Sequence, residues 1–124
     1  MPEYLIVFNA EWVPDLTHEQ IMEASRTTSA LTEEMVQAGV WVFGAGLDDD
    51  SLVAGIDLVD GRPVVLDGPY AETKEHLGGF CVVDVPDDEA ARHWAAKMAV
   101  ACGWPQHIHR VMTAPHLSED PANG

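Results

Sequence analysis

The chain has 124 residues, 47% of them apolar, and carries 21 acidic side chains against six Lys and Arg, for a formal charge of −15. That length makes one domain of ordinary size, able to bury roughly two thirds of its unfolded surface. A charge far beyond the ~2 to 8 that keeps a small domain soluble repels phosphate backbones and anionic lipid heads, so neither nucleic acid nor a membrane surface is an expected partner. No apolar run approaches the ~18 residues of a membrane span, and Met1-Pro2-Glu3-Tyr4 has no basic leader region. Cys81 and Cys102 show no metal or redox spacing, which predicts two reduced thiols in a cytoplasmic protein.

In chain order, Tyr4 to Phe8 is a short β-forming run that reads as a strand covered on both faces, followed by a loop from Asn9 to Pro14. A helix then opens with Thr17 as N-cap, Gln20 closing a capping box, and Leu16 against Ile21 as a staple. Its apolar face is predicted at Ile21, Ala24, Thr28, Leu31 and Met35, with Gly39 as the stop. Val40 to Phe43 reads as a second strand, ended by Gly44-Ala45-Gly46. Asp48-Asp49-Asp50 lacks the spacing and glycine of a calcium loop and reads as a solvated turn.

Leu52 to Val59 and Pro63 to Leu66 flank Asp60-Gly61, a strong hairpin signal. Gly79 to Val83 is the next strand, stopped by Pro86, and Asp87 and Asp88 are placed to cap a second helix. The apolar face of that helix is Ala91, Trp94, Ala95, Met98, Ala99 and Cys102, and Gly103 and Pro105 end it. His107 to Met112 is the last strand, and residues 114–124 form a tail expected to be mobile. Residues 1–113 thus make a single α+β domain, a two-layer sandwich that reads βαββαβ once the hairpin is set aside, the ferredoxin-like pattern.

Chemistry concentrates in Asp67-Gly68-Pro69-Tyr70-Ala71-Glu72-Thr73-Lys74-Glu75 and the following His76-Leu77-Gly78-Gly79-Phe80. Gly68 and Pro69 turn the chain, which leaves the Asp67 carboxylate either to cap a following helix or to point into a cleft. On a helix from Ala71 to His76, Glu72 and His76 stand one turn apart, as a two-ligand clamp, an acid–base pair or merely an exposed face with weak ion pairs. His107 and His109 alternate onto one face of the last strand, where they serve as general acid and base or sit at an exposed edge. Trp12, in a polar loop, is a candidate pocket wall; Trp41, Trp94 and Trp104 read as core or interface, and His18, His93 and His116 as solvent-exposed. Gly44-x-Gly46 lacks the third glycine and following helix of a dinucleotide site, so no nucleotide cofactor is expected.

The segment Asp67 to Phe80 resembles the signature of the DGPF family, a branch of the YCII-related proteins, which reads Asp-Gly-Pro-Phe-Ala-Glu-Thr-Lys-Glu and then Leu-Gly-Gly-aromatic; Tyr70 replaces the usual Phe. The resemblance implies a ferredoxin-like subunit that pairs through its sheet into a homodimeric α/β barrel. Similar sequences end in a Glu-Val-Arg-Pro type of strand, where this chain carries His107 and His109. The implied function is a small cofactor-independent lyase or isomerase acting on a small organic compound. Asp67 would be its acid or base, His107 or His109 the partner, and Tyr70 and Lys74 would stabilise charge. Trp12, Glu72, His76 and Phe80 would line the substrate pocket. A cation held by Glu72, His76 and His107 is the lesser expectation, and no metal is assigned. The alternative is a non-catalytic ligand-sensing or protein-interaction module, of the kind linked to sigma-factor regulation.

Overall fold

A computed structural model describes residues 2–47, 54–67 and 77–112, the Asp67 side chain excepted. Among these residues, six strands and two α-helices follow one another as β1 (Glu3–Asn9), α1 (His18–Gln37), β2 (Trp41–Gly46), β3 (Ala54–Val59), β4 (Arg62–Asp67), β5 (Leu77–Asp84), α2 (Asp88–Cys102) and β6 (His107–Arg110). The main sheet has the order β2-β5-β1-β6 and every neighbouring pair is antiparallel. With β3 and β4 set aside as a separate two-stranded sheet, this is the ferredoxin-like α+β arrangement that the element order predicts. No described helix is long and apolar enough to cross a membrane.

The two faces of the sheet follow from strand alternation. Tyr4 and Ile6 of β1 sit opposite Val83 and Cys81 of β5, and all four join Leu31 and Met35 of α1 and Ala91, Ala95 and Met98 of α2 in the buried core. Leu5 and Val7, opposite Val82 and Phe80, therefore face away from the helices. So do His109 and His107, which pair with Leu5 and Val7. On this open face Phe43 and Phe80 stack with ring centres 5.8 Å apart, and Phe43 remains exposed. The expectation that β1 is covered on both faces holds in part on each: Tyr4 and Ile6 are buried and Phe8 half-buried on the helix side, and Val7 is buried and Leu5 half-buried on the open face.

Both helices obey their local signals. The Thr17 hydroxyl accepts from the Gln20 amide at 3.1 Å while the Gln20 side chain accepts from the Thr17 amide at 2.9 Å, satisfying two of the amides a helix start leaves bare. Asp87 caps α2 by accepting from the Ala90 amide at 2.9 Å. Gly39 and Gly103 follow the helices with positive φ of 76° and 99°, a backbone that costs glycine nothing.

Several boundaries differ from the sequence reading; among them, β5 starts earlier, at Leu77, and β6 ends earlier, at Arg110. The loop after β1 contains a 3-10 turn, Ala10–Trp12, capped by the Asn9 side chain. β2 does not stop at Gly44: Gly44, Ala45 and Gly46 pair with Cys81, Phe80 and Gly79, so ladder hydrogen bonding overrides glycine's poor strand preference. The hairpin is tighter than expected, with Val59 opposite Arg62. Asp60 and Gly61 both take positive φ, 51° and 77°, as a type I′ turn requires. The Asp48-Asp49-Asp50 run, the signature residues 68–76 and the tail from 113 lie outside the described residues.

Candidate functional site: a cleft between α1 and the sheet

The predicted apolar stripe of α1 does only half of what its periodicity suggests. Leu31 and Met35 are buried, and no other α1 residue is; Ile21, at the other end of the stripe, is 51% exposed. The helix is seated on the sheet at its C-terminal end and stands off at its N-terminal end. Between lies a cleft of about 910 Å³, within the size of sites that hold drug-sized molecules.

Small side chains on both layers create the gap. From α1 the wall is Ile21, Ala24, Ser25, Thr28 and Thr32, and from the sheet it includes Gly44, Gly46 and Gly78. Gly44, Gly78 and Gly79 also leave room for the large rings beside them. A Cβ on Gly44 would meet the Trp41 indole at 2.5 Å and Cys81 Cβ at 2.8 Å, and one on Gly79 would meet the Phe8 ring at 2.8 Å. Phe8 in turn packs on Trp104, ring centres 5.3 Å apart. Trp41, Phe8 and Trp104 thus floor the cleft with aromatic surface, and Val13, Pro14 and Leu16 close one end.

Cys81 and Cys102 also line the cleft, and both are free thiols. Burial pushes Cys81 up to about 12 and Cys102 up to about 11. Both stay protonated at neutral pH, which makes them packing groups rather than nucleophiles.

The candidate residues read from the sequence fall into three groups. Phe80 borders the cleft with its backbone beside Gly44, while its ring turns to the open face against Phe43. Trp12 packs on His107, ring centres 4.4 Å apart, but these two and His109 are not among the cleft's walls. Asp67 ends β4, while Tyr70, Glu72, Lys74 and His76 lie outside the described residues. The exposed histidine pair instead borders a second depression of about 430 Å³, together with Tyr4, Asp88, Arg92 and Arg110. Among the described residues no group of three or more His, Cys, Asp or Glu is placed to hold a metal.

At that second depression the Tyr4 hydroxyl donates to Asp88 Oδ1 at 2.6 Å, and Arg110 Nη2 donates to Asp88 Oδ2 at 2.9 Å. Arg110 and Tyr4, in that order, hold the Asp88 carboxyl below its ordinary value of 3.8. The bond to Asp88 holds the Tyr4 phenol above its ordinary 10.0. For Asp88, a folded value below the unfolded one means stability that is present above pH 3.8 and lost as pH falls through the folded value. An Asp88→Asn variant should therefore melt below the parent at pH 7, and the gap in Tm should close as pH falls below 3.8. A gap that persists unchanged at pH 2 would show that the carboxylate's charge is not what matters.

Sequence reasoning missed the cleft walls on α1. The available signal was the change of side-chain size along one stripe, from Ala24 and Thr28 to Leu31 and Met35. Facing glycines on β2 and at the start of β5 repeat it from the other layer.

Comparison with known proteins agrees with this architecture. The YCII-related domain model matches residues 6–102. An uncharacterised protein of Rhizobium meliloti (strain 1021) is 31% identical over 98 residues, covering 78% of this chain and 79% of that protein. The matched span runs from the middle of β1 to the last residue of α2 and includes both layers of the cleft, so the chain belongs to the YCII-related domain family.

Proposed function

We propose that this protein binds a small, largely apolar organic compound in the cleft between α1 and the sheet. We further propose that it acts on the compound by acid–base chemistry of the lyase or isomerase type, without a bound cofactor. The observation that carries the reading is the cleft itself, a cavity of about 910 Å³ floored by aromatic rings in a layer gap that a fold of this size normally fills. Support for the chemistry comes from connectivity. The signature, with its Asp67, Tyr70, Lys74 and His76, joins β5 immediately ahead of Leu77 and Gly78, and Gly78 is a wall of the cleft. Asp67 is the proposed acid or base, and Tyr70 and Lys74 the groups that steady developing charge. His107, which packs on Trp12, and His109, on the same open face, are kept as secondary candidates.

The open face suits a further part of the reading, a homodimer formed through the sheet. Phe43 is 56% exposed there, and face-to-face pairing would cover it together with Leu5 and Val82. Sedimentation equilibrium checks this; a monomer at all attainable concentrations would sink it. Two free thiols suit a reducing cytoplasm.

The experiment for the site follows the amides of Ile21, Thr28 and Gly44 by NMR while a set of apolar compounds is titrated, with products scored by mass spectrometry. Binding should move those amides, and Asp67→Asn should lower turnover by about 10² to 10⁴ with binding retained. If no compound moves them, the cleft is not a ligand site; if turnover survives Asp67→Asn, the acid–base assignment is wrong.

A further inference from the structure

The β3–β4 arm has one wholly apolar face. Ile56 stands opposite Val65 and Leu58 opposite Pro63, so these four share a side of the two-stranded sheet. Exposure runs from 61% for Val65 to 69% for Leu58, and Pro63 is exposed as well. The other side is mixed, with Asp57 and Arg62 beside Val59 and Val64. Among the described residues the arm's substantial contacts run only between its own two strands. A lone two-stranded hairpin is at best marginally stable in water, so an arm of this kind needs lasting cover.

The same chain carries a matching surface. The open face of the main sheet presents Phe43, exposed, with Leu5, Phe80 and Val82 half-buried around it, and β-surfaces pack on one another by interdigitating such side chains. Size favours using both. At ~3.3 Å per residue and ~4.8 Å per strand the four-stranded face has a footprint of roughly 400 Å², and the arm adds roughly 200 Å². Against the ~800 Å² per partner of a standard interface, the sheet alone supplies about half and the arm about a further quarter. Charge does not oppose this contact. Copies of a −15 chain repel, but Asp57 and Arg62 lie on the arm's other side, so its apolar face brings no like charges together.

We infer that the β3–β4 arm is a clasp between two copies of this chain. Its face of Ile56, Leu58, Pro63 and Val65 lies on the open sheet face of the partner subunit, over the partner's Phe43, and two-fold symmetry repeats the contact in return. The inference rests on the reading of a homodimer formed through the sheet and goes further, since it gives the arm its own hold on the second copy. A second copy is present wherever the chain is, which meets the arm's need for lasting cover.

Sedimentation equilibrium of the parent, Ile56→Lys, Leu58→Lys and Val59→Lys tests the clasp. Each substitution makes the chain less negative, so weaker association cannot come from added repulsion. Ile56→Lys and Leu58→Lys bring a charge into the contact and should raise the dimer Kd by about 10² or more. Val59→Lys, on the arm's other side, should leave Kd unchanged. Far-UV circular dichroism should match the parent for all three, because each side chain is already exposed in the subunit. In dimers of one isotope-labelled and one unlabelled subunit, the Ile56, Leu58 and Val65 methyl groups should show NOEs to the partner's Phe43 ring. A parent that stays monomeric at all attainable concentrations overturns the dimer reading and the inference together. A parent dimer whose Kd is unmoved by Ile56→Lys and Leu58→Lys, or moved equally by Val59→Lys, overturns the inference and leaves the dimer reading standing. Methyl NOEs confined to one subunit do the same, since they would mean that the chain covers its own arm.

Discussion

Met35→Ala is expected to lower the unfolding free energy by about 2 to 5 kcal/mol, enough to consume a large part of the stability of a domain this size. Met35 is fully buried, as are Val83 and Val85, and it sits in the core cluster that joins α1 to the sheet. Only Leu31 shares its position as a buried residue of α1, so truncation removes one of two anchors and leaves a void that Leu31 alone cannot close. The informative comparison is Ile21→Ala on the same stripe. Ile21 is 51% exposed, and its removal should cost under ~1 kcal/mol because little of it leaves water on folding. Urea titration of the two variants checks the pair. Similar losses would mean that α1 lies flat on the sheet along its whole length and that the cleft is closed in solution.

Thr28→Trp should abolish ligand uptake while sparing the fold. Thr28 is half-buried against the cleft, so an indole that covers ~150 to 250 Å² would enter space occupied by no side chain instead of colliding with a packed core. Affinity for any cleft ligand should fall by at least about a hundredfold, roughly 2.8 kcal/mol, with Tm changed by only a few degrees. The stability side of the forecast follows from where α1 is fastened. Its end near Met35 carries the packing, and it is tied to α2 by Lys97 pairing with Glu34 and by the Thr27 hydroxyl donating to the Ala101 carbonyl at 2.5 Å. If Thr28→Trp bound ligand normally, binding would have to be placed elsewhere, and the depression beside Arg92 and Arg110 would become the first alternative.

The parts of this fold that were legible in the sequence are those fixed locally. Thr17 with Gln20, Asp87, Gly39, Gly103 and Asp60-Gly61 each specify a backbone event within four residues, and each does in the structure what its chemistry dictates. Strand order was accessible only through the element pattern, which the antiparallel order β2-β5-β1-β6 matches. Periodicity told which side of α1 faces the sheet but not how far away the sheet is. That distance depends on the size of side chains from two segments remote in sequence, Ala24 to Thr32 and Gly44 with Gly78. The extension of β2 through its glycines was hidden for a similar reason, since pairing partners on β5 decide it. Among the site residues, the signature led to the right family, yet its conformation is a matter of residues 68–76, outside the described part. His107 and His109 share a face as alternation predicts, but alternation says nothing about whether that face borders the cleft.

The hairpin and the signature together form a single excursion between two strands that lie side by side. Gly46 of β2 and Gly79 of β5 are partners, and the Leu47 amide bonds the Gly78 carbonyl at 2.9 Å, a clasp at the base of everything from residue 48 to 77. Closing a loop of some thirty residues costs only roughly 2 kcal/mol more than closing one of four, because the entropy of closure grows with the logarithm of length. Among the described residues the arm β3–β4 makes its substantial contacts only within itself. Evolution can therefore lengthen, shorten or rewrite this excursion at small thermodynamic penalty while the four-stranded sheet and its cleft stay as they are. A family built on such a frame is free to change what it recognises without relearning how to fold.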